Sequence, residues 1–459
     1  MNVNQFGLPC VPYLTFSQCV LQNQHERIAH VPTQNCMKYD LCRTETPTEL
    51  LQKTKTIGKS VKTLRQWKHS KNISNSGDSS RKKGFIFKLL CYNVLAQSLL
   101  EEHPYLYQEH VQENLKWKRR WKNLKQEITE QDPDIICMQE VQETHLTDYF
   151  NITFDSLGYK SLYKKRTGYK VDGCAIFWKN DILDLLEYET VEFNQNHSTA
   201  IDRDNVAIIA KFVPRLYPKA EFIVATTHLL YNPRREDIRM AQVQLLLTEL
   251  DRLAYKLKCK DENDTYKYVP VILTGDFNTQ PFSPVYELIT SGKFEYQYHH
   301  LFMKNRLLSP HLGITDTCQH IEILKKRMSK EPGNASDKHL TQLQHRESNF
   351  YPVRKSPSSE HKGLFCSGQL SHQLKLKSVF KHNLGDKREA TTYQDEWVTV
   401  DYIFYSNVET TNNKVIEKKL KVMSRYTIPT EDQLNNVKIP NSEIGSDHLL
   451  LAAKFVIQE

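Results

Sequence analysis

The chain has 459 residues, and its 62 Lys+Arg against 54 Asp+Glu give a net charge of +8. A mean hydropathy of −0.59, with no apolar run near the roughly 18–20 residues that cross a bilayer, excludes a helical membrane protein. The charge is unevenly placed: residues 51–83 hold ten basic side chains against Asp78 alone, residues 1–50 sum to −1, and residues 84–459 are neutral.

Residues 1–83 carry no sustained periodicity and end in the Ser/Asn/Lys-rich run Lys68–Lys83, which reads as a disordered basic leader, a solvated linker or a localisation tag. It holds no leucine-rich repeat at a fixed period. The first 25 residues lack acids, as transit peptides do, but they also lack arginine and a strong amphipathic pattern, which argues against mitochondrial import.

From Phe85 the texture changes to short β-branched and aromatic runs separated by helical patterns, over a length able to bury a large core. Strands are expected at Phe85–Asn93, Asp134–Met138, Gly173–Trp178, Asn205–Phe212, Glu221–Thr227, Val269–Thr274, Val400–Tyr405, Leu420–Arg425 and Leu449–Val456. Trp117, Trp121, Leu124 and Ile128 place an apolar stripe on one helix, and Ile238, Ala241, Leu245, Leu246, Leu250 and Leu253 do so on another. Between about residues 325 and 377 the pattern dissolves into Ser, His, Lys, Gln and Pro, which reads as a mobile insertion within the domain of residues 84–459. Its histidines, His339, His345, His361 and His372, lack metal-ligand spacing and are expected in solvent. Residues 321–377 sum to +6, so the remaining folded core carries −6. The ten cysteines include no C-x-x-C pair, and Cys91, Cys137 and Cys174 fall in apolar strand runs. That usage favours a reducing compartment, with the cytoplasm the expected location and the nucleus a second option.

Six segments put a carboxylate, amide or imidazole at the end of an apolar strand. They are Cys91-Tyr92-Asn93-Val94-Leu95, Cys137-Met138-Gln139-Glu140-Val141, Thr226-Thr227-His228-Leu229, Thr274-Gly275-Asp276-Phe277-Asn278, Val400-Asp401-Tyr402-Ile403-Phe404 and Ser446-Asp447-His448-Leu449. Polar side chains at strand ends converge on a cleft that the apolar residues behind them hold rigid. Singly, each segment is also a common turn or cap.

Taken in order, the six resemble the signature of the endonuclease/exonuclease/phosphatase superfamily, the DNase-I-like metal phosphoesterases. Within its branch of nocturnin, carbon-catabolite-repressor deadenylases and Angel proteins, five stretches look most like Angel homologues. These are Tyr92–Gln97, Asp172–Ile176, Asp202–Val206, His228–Arg235 and Val400–Ser406. The likeness runs from about residue 85 to the C terminus, excluding the insertion. It implies a four-layer α/β sandwich of two mixed β-sheets flanked by helices.

The resemblance also implies roles. Hydrolysing a phosphodiester calls for a hard cation on oxygen ligands, an activated water and a stabilised leaving alkoxide. Glu140 would be the main metal ligand, with Asn93 beside it and Asp447 reaching the ion through water. Asp276 would act as base or orient the water, and Asn278 would donate to the phosphoryl oxygens. His448 would contact the scissile phosphate, its tautomer fixed by Asp447 or Asp401, and His228 would complete the clamp. Mg²⁺, or Mn²⁺, suits such carboxylates and amides better than zinc does. Trp397 is either a base-stacking ring or a core residue, and Arg234 and Arg235 either bind a flanking phosphate or pair with Glu236 and Asp237.

The expected protein is a monomeric, Mg²⁺-dependent phosphoesterase acting at RNA 3′ ends. It would be a 3′→5′ exoribonuclease of deadenylase type or a 2′,3′-cyclic phosphatase, working with partners in mRNA metabolism or translation. A competing reading is a binding module that contacts RNA or translation factors through the basic leader and insertion. Action on inositol phosphates or sphingomyelin is a third.

Overall fold

The computed structural model describes residues 60–70, 84–195, 201–258, 266–299, 312–329, 364–406 and 419–458. Most of the basic leader, the centre of the insertion, and His339, His345 and His361 lie outside the described residues. Among the described residues, no helix is long and apolar enough to cross a membrane.

The principal elements are β1 (Trp67–His69), β2 (Gly84–Asn93), α1 (Trp117–Gln131), β3 (Ile135–Gln142), β4 (Tyr159–Lys165), β5 (Asp172–Lys179), β6 (Leu183–Asn194), β7 (Asp202–Pro214), β8 (Phe222–His228), α2 (Glu236–Ala254), β9 (Val271–Asp276), α3 (Pro284–Ser291), β10 (Leu376–Ser378), β11 (Thr392–Gln394), β12 (Glu396–Val398), β13 (Asp401–Ser406), β14 (Leu420–Tyr426) and β15 (Leu451–Gln458). One sheet has seven strands in the order β1-β14-β15-β2-β3-β5-β4, and the other has six in the order β10-β13-β9-β8-β7-β6. Both are mixed: β2 runs parallel to β3, and β8 to β9, while the other pairings are antiparallel.

The strands read as unbroken apolar runs because both faces are covered. Leu89, Cys91, Ile135, Cys137 and Cys174 from one sheet meet Val206, Ile208, Phe222, Val224 and Ile403 from the other in a shared inner core. The alternate residues of the first sheet, Leu90, Tyr92, Ile136 and Met138, pack on Leu124 and Ile128 of α1. Those of the second, Ile223, Ala225 and Leu273, pack on Met240, Leu246 and Leu250 of α2. This is the four-layer sandwich that the sequence resemblance implies.

Several expectations shift. Strands β4 and β6 were absent from the sequence reading. Each ends its sheet; β6 alternates exposed and half-buried residues and only Tyr159 of β4 is fully buried, so the apolar signal is weak. Helix α2 is buried nearly all round rather than along one stripe. Residues 312–329 supply partners for its polar positions: Gln244 donates to the Thr315 carbonyl, Glu249 lies 2.7 Å from His320, and Asp251 pairs with Arg327 at 2.6 Å. Residues 364–377, expected in the insertion, are folded: Leu370, Leu374 and Leu376 enter the core, and β10 edges the second sheet. His372 is therefore buried rather than solvated, its Nε2 2.9 Å from the Leu288 carbonyl. Residues 60–70, expected in the leader, are also folded, with β1 paired to β14.

Candidate active site

The two parallel pairs run toward the same end of the sandwich, so their C-terminal ends share a cleft. In the first sheet Asn93 pairs with Gln139, next to Glu140. In the second His228 pairs with Asp276, which faces Asp401 across the antiparallel neighbour. The loop entering β15 brings Asp447 and His448, so all six sequence segments meet. Gln139 ties the sheets together beneath the cleft, its Nε2 donating to Thr226 Oγ1 at 2.7 Å.

Local backbone aims these groups. A register shift between Met138 and Val141 interrupts β3, and Glu140 sits there at φ 57°. A bulge of this kind redirects a side chain out of the pleat. Gly275 has φ 145°, and a Cβ there would lie 2.0 Å from the Thr227 carbonyl oxygen, so only glycine lets β9 approach β8 beside Asp276.

Asn93 is the hub. Its Nδ2 donates to Glu140 Oε1 at 2.8 Å and to Asp276 Oδ2 at 3.0 Å, and lies 3.5 Å from His448 Nε2. Its Oδ1 accepts from the Leu95 N–H at 3.0 Å. The other Glu140 oxygen accepts from the Ala96 N–H. His448 Nδ1 is 2.8 Å from Asp401 Oδ2, which fixes the ring's orientation and leaves Nε2 facing Asp276 Oδ2 at 3.7 Å. Asp447 instead accepts from the Tyr107 hydroxyl at 2.7 Å, so Asp401 orients the imidazole. His228 Nε2 lies 3.6 Å from Asp276 Oδ2. Asn278, at φ 49°, donates from Nδ2 to the Leu229 carbonyl, while its N–H donates to Asp276 Oδ1.

The electrostatics separate these groups. Burial, helped by the charges of Asp447 and Asp172, pushes the Glu140 carboxyl up to about 7. Burial and Asp401 push Asp276 up to about 7 as well, against the pull of His448 and the hydrogen bonds from Asn93 and the Asn278 N–H. Burial alone would lower His448, but Asp401, Asp276 and Asp447 together hold it well above the usual histidine range. Burial, Arg166 and His448 keep His228 well below it. One imidazole is therefore cationic at neutral pH and the other neutral.

This donor set fits a divalent cation. Ligand atoms of Glu140, His228 and Asp276 lie within 4.8 Å of one another. Asp401 Oδ1 and His228 Nδ1 are buried without a hydrogen-bond partner. Crowded carboxylates with raised affinity for protons are what a small, hard cation relieves.

Residues 90–448 match the Endonuclease/Exonuclease/phosphatase family. The chain belongs to that family of hydrolases. Human protein angel homolog 2 is 34% identical over 414 residues, covering 84% of this chain and 72% of its own length. Protein angel of Drosophila melanogaster is 31% identical over 411 residues, covering 88% and 90%. Among solved structures, ANGEL2, described as a 2′,3′-cyclic phosphatase and bound to adenosine-2′,3′-vanadate, superposes with a TM-score of 0.66 at 33% identity. The match covers 86% of this chain and 99% of that one. The human nocturnin catalytic domain shares the fold, with a TM-score of 0.50 at 20% identity over 87% of this chain and 99% of its own.

Against this family frame, the expected substrate contacts divide. Trp397 is only 7% exposed and packs with Val61, Ala390, Leu434, Ile439, Ile444 and Leu449, so it is a core residue and not a stacking platform. Its cross-strand partner on the β11–β12 hairpin, Tyr393, is 54% exposed, one residue from Thr392, whose hydroxyl donates to the Asp447 carbonyl. Trp397→Ala should therefore cost roughly 3–5 kcal/mol of stability by cavity formation, measured by urea unfolding. Tyr393→Ala should leave the unfolding midpoint unchanged and raise KM for RNA. Arg235 is already engaged bidentately by Asp237, both contacts at 2.9 Å, and Arg234 is an exposed residue whose backbone N–H donates to Asn232 Oδ1.

Two supporting groups escaped the sequence reading. Arg120 is fully buried and donates to the carbonyls of Val94, Leu95 and Gly445 and to Gln97 Oε1, joining the Asn93 loop to the loop of Asp447 and His448. In sequence it is one of several cations on α1, with no local mark of burial. Asp172 is buried 3.0 Å from Arg166 Nη2 and adds its charge to the environment of Glu140. It lies in a stretch that resembles Angel proteins, which was the available signal.

Proposed function

We propose that the protein hydrolyses the terminal 2′,3′-cyclic phosphate of RNA, opening the ring and then removing the resulting monoester. The observation that carries the reading is the Asp401–His448–Asp276–Asn93–Glu140 array, a cationic imidazole and two proton-binding carboxyls around one amide. The choice of the cyclic end over 3′→5′ exonucleolysis is supported by the relative described as a cyclic phosphatase, which is 33% identical.

In this reading Asp276, whose burial beside Asp401 raises its affinity for protons, takes a proton from water as the water oxygen bonds to phosphorus. The phosphorus bond to one ribose oxygen breaks, and that oxygen takes up a proton from solvent to become a hydroxyl. His448, locked by Asp401, presents Nε2–H to the phosphoryl oxygens, while neutral His228 and the remaining Asn278 amide hydrogen border the same group. A second water attack frees inorganic phosphate and the diol. Glu140, with Asn93 and Asp447, would hold a divalent cation, Mg²⁺ or Mn²⁺, that neutralises charge building on those oxygens. For Asn93 this means sharing the Oδ1 that now accepts from Leu95.

The carboxyl shifts have a sign. Glu140 and Asp276 bind protons more tightly in the folded chain than at the ordinary carboxyl pKa of about 4. Between about pH 4 and 7 these two groups hold more protons in the native state, so their contribution to stability falls as pH rises through that window. The stability advantage of Glu140→Gln over metal-free wild type should therefore grow from about pH 5 to 7, and added Mg²⁺ should raise the wild-type Tm more at the higher pH. Scanning fluorimetry with and without chelator checks this; equal Mg²⁺ shifts at both values would contradict it.

The functional test uses three labelled RNAs ending in poly(A), a mixed-sequence 3′-hydroxyl or a 2′,3′-cyclic phosphate, with Mg²⁺ or chelator. Loss of the terminal phosphate at constant length supports the proposal, and shortened ladders from the hydroxyl ends would replace it with exonucleolysis.

A further inference from the structure

Residues 60–70 form a strap across the edge of the first sheet. Trp67–His69 pair with Ser424–Tyr426, and Gln66 exchanges hydrogen bonds with Thr427. Edge pairing alone needs only backbone, yet the strap also buries a guanidinium. Arg65 is 8% exposed, donates from Nε to the Thr427 carbonyl at 2.9 Å and from Nη2 to the Leu450 carbonyl, and stacks 4.3 Å from the Tyr426 ring centre. Burying a cation is costly unless its donors find partners, and here they reach past the sheet edge to the loop that carries Asp447 and His448.

The strap holds both ends of that loop. Ser60 donates to the Glu443 carboxylate, and Val61 packs in one small core with Ile444 and Leu449, the residues just outside Gly445–His448. Between them, the Gly445 N–H donates to Glu127, which also accepts from the Tyr92 hydroxyl at 2.9 Å, and the Arg65 charge acts on that same carboxyl. Tyr92 precedes Asn93. The Arg65 side therefore meets both the Asn93 and the His448 segments, the two that Arg120 also joins.

We infer that the strap belongs to the catalytic unit and that Arg65 is a positioning residue, holding the Gly445–Leu450 loop so that Asp447 and His448 keep their places. A segment that composition alone assigns to a basic leader thus completes the site. The inference rests on the phosphoesterase reading for its kinetic consequence, and on geometry alone for its effect on the loop.

The test compares full-length Arg65→Ala, Arg65→Lys and a control, Ile289→Ala, which opens a cavity in the core of the opposite layer. Substrate is RNA with a 2′,3′-cyclic phosphate end, and hydrogen exchange is read on peptides spanning residues 445–450. Arg65→Ala should lower kcat about tenfold with KM unchanged within about twofold, since small misplacements of reacting groups cost rate more than binding. It should also speed exchange in 445–450. Arg65→Lys, which keeps the charge but can reach fewer carbonyls, should fall between it and the wild type, and serves if the alanine variant does not fold. The control should lose Tm and change neither readout. The inference fails if Arg65 variants behave like the control, with kcat and loop exchange intact. If the wild type turns over no RNA end, the phosphoesterase reading fails instead, and loop exchange still decides the strap.

Discussion

Glu140→Ala is expected to lower kcat/KM on a cyclic-phosphate RNA end by about a thousandfold or more, the scale seen when a preorganised charge at the reacting centre is removed. Glu140 is the one carboxylate of the array set on a bulge at positive φ, which turns it from the strand into the cleft. Its oxygens are engaged only by the Asn93 amide and the Ala96 N–H among the described hydrogen bonds, donors that orient it without neutralising its charge. A cation is the partner its charge calls for. Because burial and neighbouring acids disfavour that charge, Glu140→Gln should raise the Tm of chelated protein near neutral pH while abolishing the Mg²⁺-dependent shift. A variant that keeps full turnover, or still gains Tm on adding Mg²⁺, would remove Glu140 from the metal site.

Arg120→Ala should cost roughly 3–5 kcal/mol of stability, because it leaves buried backbone acceptors unpaired as well as a void. Three carbonyls, from Val94, Leu95 and Gly445, lose their donor at once. Activity should fall with stability even at temperatures where the variant is folded, since those carbonyls flank Asn93 and the Asp447–His448 loop. Lysine cannot span the same acceptors with one ammonium, so Arg120→Lys should be far from neutral. Equilibrium urea unfolding read beside kcat checks both effects; a variant within about 1 kcal/mol of wild type would show the network to be dispensable.

The cleft itself was legible because each polar group stands at the end of a strand whose apolar residues announce it: Asn93, Glu140, His228, Asp276, Asp401 and His448 all follow or begin such runs. The sandwich was legible for the same reason, since its central strands are covered on both faces. Edge strands β4 and β6 were not, because a half-exposed strand such as Leu183–Asn194 mixes acids with its apolar residues. Residues whose burial depends on distant partners were also hidden. Arg65 counts in sequence only toward a basic leader, Arg120 carries no local mark, and His372 reads as a solvated histidine, until the Leu450, Gly445 and Leu288 carbonyls are placed beside them. Trp397 shows the converse. An aromatic at a plausible recognition position is consumed by a core built from residues 61, 434, 439, 444 and 449, and its cross-strand partner Tyr393 is the ring left exposed.

The uneven charge takes on a structural meaning as well. Part of the basic stretch 51–83 is folded against the catalytic loop, with Arg65 as its anchor.

The most direct measurement is ³¹P NMR of an oligoribonucleotide ending in a 2′,3′-cyclic phosphate, followed in Mg²⁺ with wild-type protein, with Glu140→Ala and with chelator. The account predicts that the cyclic phosphodiester resonance is replaced by a monoester and then by inorganic phosphate with the wild type only, at constant RNA length. A cyclic resonance that persists while the RNA shortens would contradict it.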